Sequence, residues 1–374
     1  MDTIYVSQPF LDNAETDLVN LALSRGEISG LSGSFIGKFE SMFAEYCNCK
    51  CGVTTSNGTT ALHLALVALG IKQGDEVLVS TLTNMATFFA VLYQGAIPVP
   101  IDIEPDTLNM DTSLLESKVT SKTKAILVVH LFGHPVDMDP VNEIAKKFNL
   151  SVVEDCAEAH GALYKGKKVG SLSNAGCFSF YANKIITTGE GGMVTCNDTE
   201  LDTKMRLLKS LAFGDNLKFM HKDIAFNYRL TNLQSAMGCA QVKKIDKIIS
   251  NKRRIAFYYA QKLRDINEIM LPVEKPYARN VFWMYHIVLK NKGLEHRSII
   301  MKYLKEKGIE TREGFIPYNL QDAFIARKLT NKEDCPIASS VAYNSFYLPS
   351  GPVLNEDNID YIVYNLKKGL LVIK

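Results

Sequence analysis

The chain has 374 residues, 47% of them hydrophobic and 22% charged, enough to bury two cores and too apolar to stay disordered. Its 42 basic residues nearly cancel its 40 acidic ones, leaving a net charge of +2, which argues against nucleic acid or an anionic membrane as partner. The opening MDTIYVSQPF has no basic run leading into an apolar stretch, and no later run reaches the ~18 apolar residues of a membrane span, so a cytoplasmic protein is expected.

Eight cysteines include the trio Cys47, Cys49 and Cys51, but there is no CxxC pair with a matching second pair. Reduced thiols and no metal site are the expectation.

From about Cys51 to His160, apolar strand-like runs (Glu76 to Val79, Ala125 to Leu131, Ser151 to Glu154) alternate with helix-like stretches. That pattern predicts an α/β fold with a mostly parallel sheet covered on both faces. TTALHLALVALG predicts a helix with Leu62, Leu66 and Leu69 on one face, starting at Ser56-Asn57-Gly58-Thr59 and stopping at Gly70. CFSFY and GGMVTC read as neighbouring strands with a glycine-rich loop between them. One long helical stretch is expected from about Leu233 to Leu263, bridging two domains. A strand over Trp283 to Leu289, a helix ending at Gly308 and a helix near Asn358 to Leu370 complete a small α+β domain. The expected division is a large domain over 1–245 and a small one over 246–374.

Three fragments carry chemistry. In NKIITTGEGGMV, Lys184 follows a strand and precedes Gly189, Gly191 and Gly192. A lysine desolvated in such a pocket can attack an aldehyde, although a surface lysine in a turn reads the same. In VVEDCAEAHG, Asp155 ends a parallel strand at the carboxyl edge of the sheet, where open α/β folds bind ligands. There it would keep a pyridine nitrogen protonated, with Glu158 three residues on; plain charges at a helix start remain the alternative. In TSNGTTALHLA, the helix start offers free N–H groups and hydroxyls to an anion such as phosphate, or else an ordinary N-cap. His63 on that helix reads as packing. Together the fragments supply a reactive lysine, a carboxylate and a phosphate cradle, the set that pyridoxal 5′-phosphate requires.

SNGTTALHLAL, EDCAEA, SFYANKIITTGEGGMV and FNYRLTN resemble the DegT-type sugar aminotransferase family, over most of Cys51 to Gln241, and within it the perosamine synthase branch. The resemblance implies a fold-type-I homodimer with shared active sites. It implies amino transfer from L-glutamate to a keto sugar, here a nucleotide-linked 4-keto-6-deoxysugar made for lipopolysaccharide and other surface polysaccharides. It makes Lys184 the Schiff-base lysine, pairs Asp155 with the ring nitrogen and Glu158 with the phenolic oxygen. It places the phosphate on Gly58, Thr59, Ser179 and the partner subunit's Asn227. His221 would approach the sugar; Arg229 would meet the glutamate carboxylate, or serve a structural salt bridge.

Three departures stand out. Asn84 in TLTNMA occupies the place of an aromatic residue that stacks on the cofactor, so stacking falls to Phe88 or Phe89, or is absent. Asn319 ends GFIPYN where relatives carry a histidine near the substrate. Ala225 replaces a glycine before FNYR. Because Asn84 and Asn319 fall on the substrate side, a keto sugar without nucleotide, such as an oxidised octulosonate or an inosose, stays open. A sugar dehydratase is the nearest rival, and Lys184 argues against it. A nicotinamide oxidoreductase lacks its GxGxxG, and a non-catalytic sensor would need loss of Lys184 or Asp155.

Overall fold

A computed structural model describes residues 3–373. The large sheet has seven strands: β1 Cys51–Thr55, β2 Glu76–Ser80, β3 Ile97–Ile101, β4 Thr123–Val129, β5 Ser151–Asp155, β6 Ala175–Ser179 and β7 Gly192–Cys196. Their spatial order is β1-β7-β6-β5-β4-β2-β3. All pairs are parallel except those made by β7, which runs against both its neighbours.

The near-continuous apolar runs of β2, β4 and β5 are explained by burial on both faces. Val77, Val79, Ala125, Leu127, Val129 and Val153 face one core. It is closed by α1 Asn13–Ser24, α2 Ser34–Tyr46, α3 Gly58–Ala68, α4 Ala86–Leu92 and others. The alternate residues Leu78, Ile126, Val128 and Val152 face a second cluster completed by Met138, Val141 and Ala145 of α5 Met138–Phe148. Helix α3 starts at Gly58, inside the expected Ser56-Asn57-Gly58-Thr59 stretch, with Asn57 capping Thr60 N at 2.9 Å, and Gly70 follows its end with φ +84°. β3, IPVPI, escaped the pattern because two prolines demote a strand reading; it is one of the two edge strands.

After α6 Thr199–Lys209, the expected long helix is two, α7 Asn232–Val242 and α8 Ile245–Leu263. The break falls at Lys243-Lys244, where the Lys244 ammonium reaches back to Asp12 at 2.9 Å and Glu15 at 2.7 Å. Helix α8 then serves two cores. Ile245, Ile248 and Ile249 join the large one, and Ile255, Tyr259 and Leu263 join a smaller one.

The smaller core lies between α8, α9 Leu294–Glu306, α10 Glu356–Val372 and an antiparallel sheet of β8 Ile269–Met270, β9 Tyr285–Leu289, β10 Arg312–Glu313 and β11 Ser345–Leu348. The strand order is β8-β9-β11-β10. Ile4 pairs with Ile309, so the N-terminal segment is tied to this part of the chain.

Candidate active site

A cavity of about 500 Å³ opens where β5 and β6 end, the ligand edge of an open α/β sheet. Strand register builds its floor. Thr55, Ser179 and Gly192 align across β1, β6 and β7, and Ser56, Asn57 and Gly58 follow directly after Thr55. The packing leaves no room for side chains: a Cβ on Gly58 would sit 2.8 Å from Ser179 Cβ, and one on Gly192 would sit 2.3 Å from the Asn57 carbonyl.

This is the anion end of the cavity. Helix geometry leaves the N–H groups of Gly58 and Thr59 without intrahelical acceptors, and the helix dipole adds positive potential there. The Ser179 hydroxyl stands beside them, taking only a long 3.4 Å bond from the Tyr181 N–H.

Asp155 closes the adjacent wall from the end of β5. It is 5% exposed, and accepts from the Thr87 hydroxyl at 2.8 Å and the Ala157 N–H at 3.1 Å. Thr87 is itself 2.9 Å from Thr83 Oγ1. Burial pushes the Asp155 carboxyl above its ordinary pKa, against the pull of those donors and of Lys184. A cation placed against it would restore the charged form. Glu158 Oε2 accepts from the Phe132 N–H at 2.8 Å. Burial, reinforced by Asp155 and opposed by Lys184, raises its pKa to about 7.

Lys184 projects from the loop between β6 and β7 into the same cavity. Burial lowers the pKa of its amine, and the charges of Glu158 and Asp155 push it back up. Its Nζ lies 4.1 Å from the centre of the Trp283 ring. Trp283 was not among the expected site residues, nor were Arg312, Glu313, Phe315 and Tyr347, which with it bring the small sheet's side of the chain to the cavity wall. The only signal for them was that Trp283 is the chain's sole tryptophan.

The structure thus brings together Lys184, Asp155, Glu158, Gly58, Thr59, Ser179 and Asn84 around one cavity. Asn84 lies at its rim, its side-chain oxygen accepting from the Ala86 N–H at 3.0 Å. Phe88 does not reach the cavity as a stacking ring, because it is buried against Tyr318 at 4.0 Å and 6°. Phe89 turns outward beside Tyr93 and Phe324. Asn319 is likewise no part of the wall: it is 0% exposed, and its amide donates to the Lys332 carbonyl and to Ser339 Oγ at 2.8 Å each. Its position is structural, not substrate-facing.

Asn227 and His221 are exposed outside the chain's own cavity, and Arg229 reaches Ser210 Oγ at 3.4 Å. His63 is a packing residue, 3.0 Å from the Tyr228 hydroxyl and edge-on to Phe226. Ala225 is half-buried against the large core, which explains nothing about its identity.

Among the described residues, one buried trio, His130, Glu154 and Cys156, has metal-ligand proximity. Glu154 is already committed: it accepts from Gly170 N, Leu172 N and Ser173 Oγ, while the His130 ring bridges it to Val136 N. That makes the trio a structural polar cluster.

The cavity suits pyridoxal 5′-phosphate on chemistry alone. One end offers backbone N–H groups of a helix start and a hydroxyl to a dianion, the middle offers a carboxylate short of a cation, and the same cavity holds an amine whose pKa burial lowers.

Comparison with known proteins gives the same answer. Residues 9–367 match the model of the DegT/DnrJ/EryC1/StrS aminotransferase family. The chain is similar to a GDP-perosamine synthase of Caulobacter vibrioides, 43% identical over 98% of both chains. It is 40% identical to one of Escherichia coli O157:H7, covering 98% of this chain and 99% of that one. Spr1654 of Streptococcus pneumoniae, solved in its pyridoxal-phosphate form, matches with a TM-score of 0.94 at 26% identity over the full length of both chains. The chain therefore belongs to the DegT/DnrJ/EryC1/StrS aminotransferase family, as a pyridoxal-phosphate-dependent sugar aminotransferase of α/β fold.

Proposed function

We propose that the enzyme moves an amino group from L-glutamate to C4 of a GDP-linked keto-deoxysugar for surface polysaccharide, working in the cytoplasm as a homodimer. The observation that carries this is the convergence of Lys184, Asp155, Glu158 and the α3 start on one cavity. Full-length similarity to GDP-perosamine synthases supports the sugar. Asn319, buried and bonded, no longer argues for a different substrate, which leaves Asn84 as the one departure at the cavity.

The cofactor supplies an electron sink and a carrier for the amino group. The rest is work for the protein. Gly58, Thr59 and Ser179 would anchor its phosphate. Asp155 would hold a positive charge on the ring nitrogen, and Glu158 would hold the phenolic oxygen. Lys184 Nζ, whose pKa burial lowers, would anchor the cofactor and, once free, would take a proton from the donor's α-carbon and return it two atoms away, across the nitrogen being transferred. Trp283 and Tyr347 shield the amine from bulk water.

Two features support a second copy and a cytoplasmic setting. Leu217, Phe219, Met220 and Ile224 are 66–90% exposed on the segment that carries His221 and leads to Asn227, an apolar surface that pairing would cover. All eight cysteines are free thiols, as a reducing compartment would keep them. No described helix is long and apolar enough to cross a membrane.

The test is to convert the holoenzyme to its aminated form with L-glutamate and offer nucleotide-linked and free keto sugars in turn. Recovery of the original absorbance with a GDP-linked 4-keto sugar is expected. Recovery only with a free sugar would move the substrate to the octulosonate or inosose class. Light scattering should give a dimer that Ile224→Asp dissociates.

A further inference from the structure

The chain's single tryptophan is held with little freedom. Trp283 is 4% exposed. Its backbone N–H bonds the Phe132 carbonyl at 2.9 Å, and its indole N–H bonds the Asn183 carbonyl at 2.8 Å. Tyr347 packs edge-on at 6.3 Å and 63°. Asn183 is the residue before Lys184, so the indole is anchored to the lysine's own loop, and the ring face left over is the one 4.1 Å from Nζ.

The two carboxylates nearest in charge to Lys184 are otherwise engaged. Asp155 is turned to Thr87 and Ala157, and Glu158 to Phe132. A free lysine amine on a flexible four-carbon stem needs some fixed partner if it is to return to the same atom in every cycle. An aromatic face provides one without a second charge.

We infer that Trp283 is a positioning residue whose indole face holds the amino group of Lys184 whenever that amine is free. The inference rests on Lys184 being the reactive amine. It also makes Phe132 a joint, since one residue there gives its N–H to Glu158 and its carbonyl to Trp283. The carboxylate at one side of the cavity and the ring at the other are thereby set by a single peptide segment.

The experiment uses the holoenzyme in its aminated form, in which Lys184 is free. Lys184 is acetylated by competitive labelling with acetic anhydride from pH 6 to 10, and the labelled peptide is quantified by mass spectrometry. With the indole removed in Trp283→Leu, the charged amine loses its support, so the labelling midpoint should fall by about half to one pH unit. The unprotonated fraction below the midpoint should rise about three- to tenfold. Trp283→Phe, which keeps a weaker face in the same core, should fall between, and it decides the matter if the leucine variant does not fold. A midpoint unchanged in the folded variants overturns the inference, even if amination is lost. Borohydride reduction of the untreated holoenzyme, run in parallel, shows separately whether Lys184 is the covalent anchor.

Discussion

Phe132 donates its backbone N–H to Glu158 Oε2 at 2.8 Å from a left-handed backbone with φ +54°. A bulky residue pays of order 1 kcal/mol or more for that conformation, so the contact is one the surrounding structure enforces. Burial and Asp155 raise the Glu158 pKa to about 7 from the ordinary 4.5. A raised folded pKa means the stabilising form is the protonated one. Its contribution is complete below pH 4.5 and is lost as pH rises through 7, on the order of 3 kcal/mol in all. Glu158→Gln keeps an oxygen for Phe132 and removes the titration. Denaturant melts of cofactor-free protein should show the variant gaining on the parent between pH 5 and 8. Parallel curves for the two proteins would sink the assignment.

The Asp155 carboxylate depends on a neighbour that is easily deleted. Thr87→Val removes the hydroxyl that donates to it at 2.8 Å in a fully buried setting. Hydrogen bonds to charged groups contribute about 1.5–3 kcal/mol. Cofactor affinity, measured by equilibrium dialysis, should therefore fall roughly ten- to hundredfold. Thr83→Val acts one bond further out and should lose less. Equal losses in the two variants would mean that Thr87 does not act through Asp155.

At Gly58 two rules give opposite signs. Alanine favours helices over glycine by about 1 kcal/mol, yet its Cβ would stand 2.8 Å from Ser179 Cβ. Backbone and side chain must separate, and they are the two halves of the phosphate cradle. Gly58→Ala should leave the melting temperature of cofactor-free protein within a few degrees while weakening cofactor binding at least about tenfold. Unchanged binding would show that the cradle tolerates opening.

How much of this was legible in the sequence depended on sequence distance. Asp155 ends a strand, Gly58 starts a helix and Lys184 lies in the glycine-rich loop after β6, so local pattern marked all three, whereas Ser179 came only with the family resemblance. Arg312 and Tyr347 come from the small sheet and Trp283 and Phe315 from the segments beside its strands, and no local periodicity says which of these residues face a cavity made by another part of the chain. Phe88 illustrates the converse error: closeness in sequence to Asn84 made it a candidate stacking ring, but its face was already taken by Tyr318 across 230 residues of sequence. The break at Lys243-Lys244 was invisible for the same reason, since the partners that meet Lys244 there are the distant Asp12 and Glu15.

Asn319 offers the sharpest separation of structure from chemistry. A substrate-facing amide and a buried staple predict different losses on substitution. Its nitrogen serves the Lys332 carbonyl and Ser339 Oγ at 2.8 Å each, and its oxygen takes the Thr81 hydroxyl at 3.3 Å. Ser339 keeps a second bond to the Cys335 carbonyl, so Asn319→Ala strands chiefly the Lys332 carbonyl and the Thr81 hydroxyl. Leaving such groups unpaired costs about 1–3 kcal/mol each, so a loss of roughly 3 kcal/mol is expected from denaturant melts. The same variant, assayed well below its melting point, should keep its KM for both amino donor and keto sugar within about twofold, because no atom of Asn319 touches the cavity. A selective rise in the KM for the sugar, with stability intact, would return Asn319 to the substrate side.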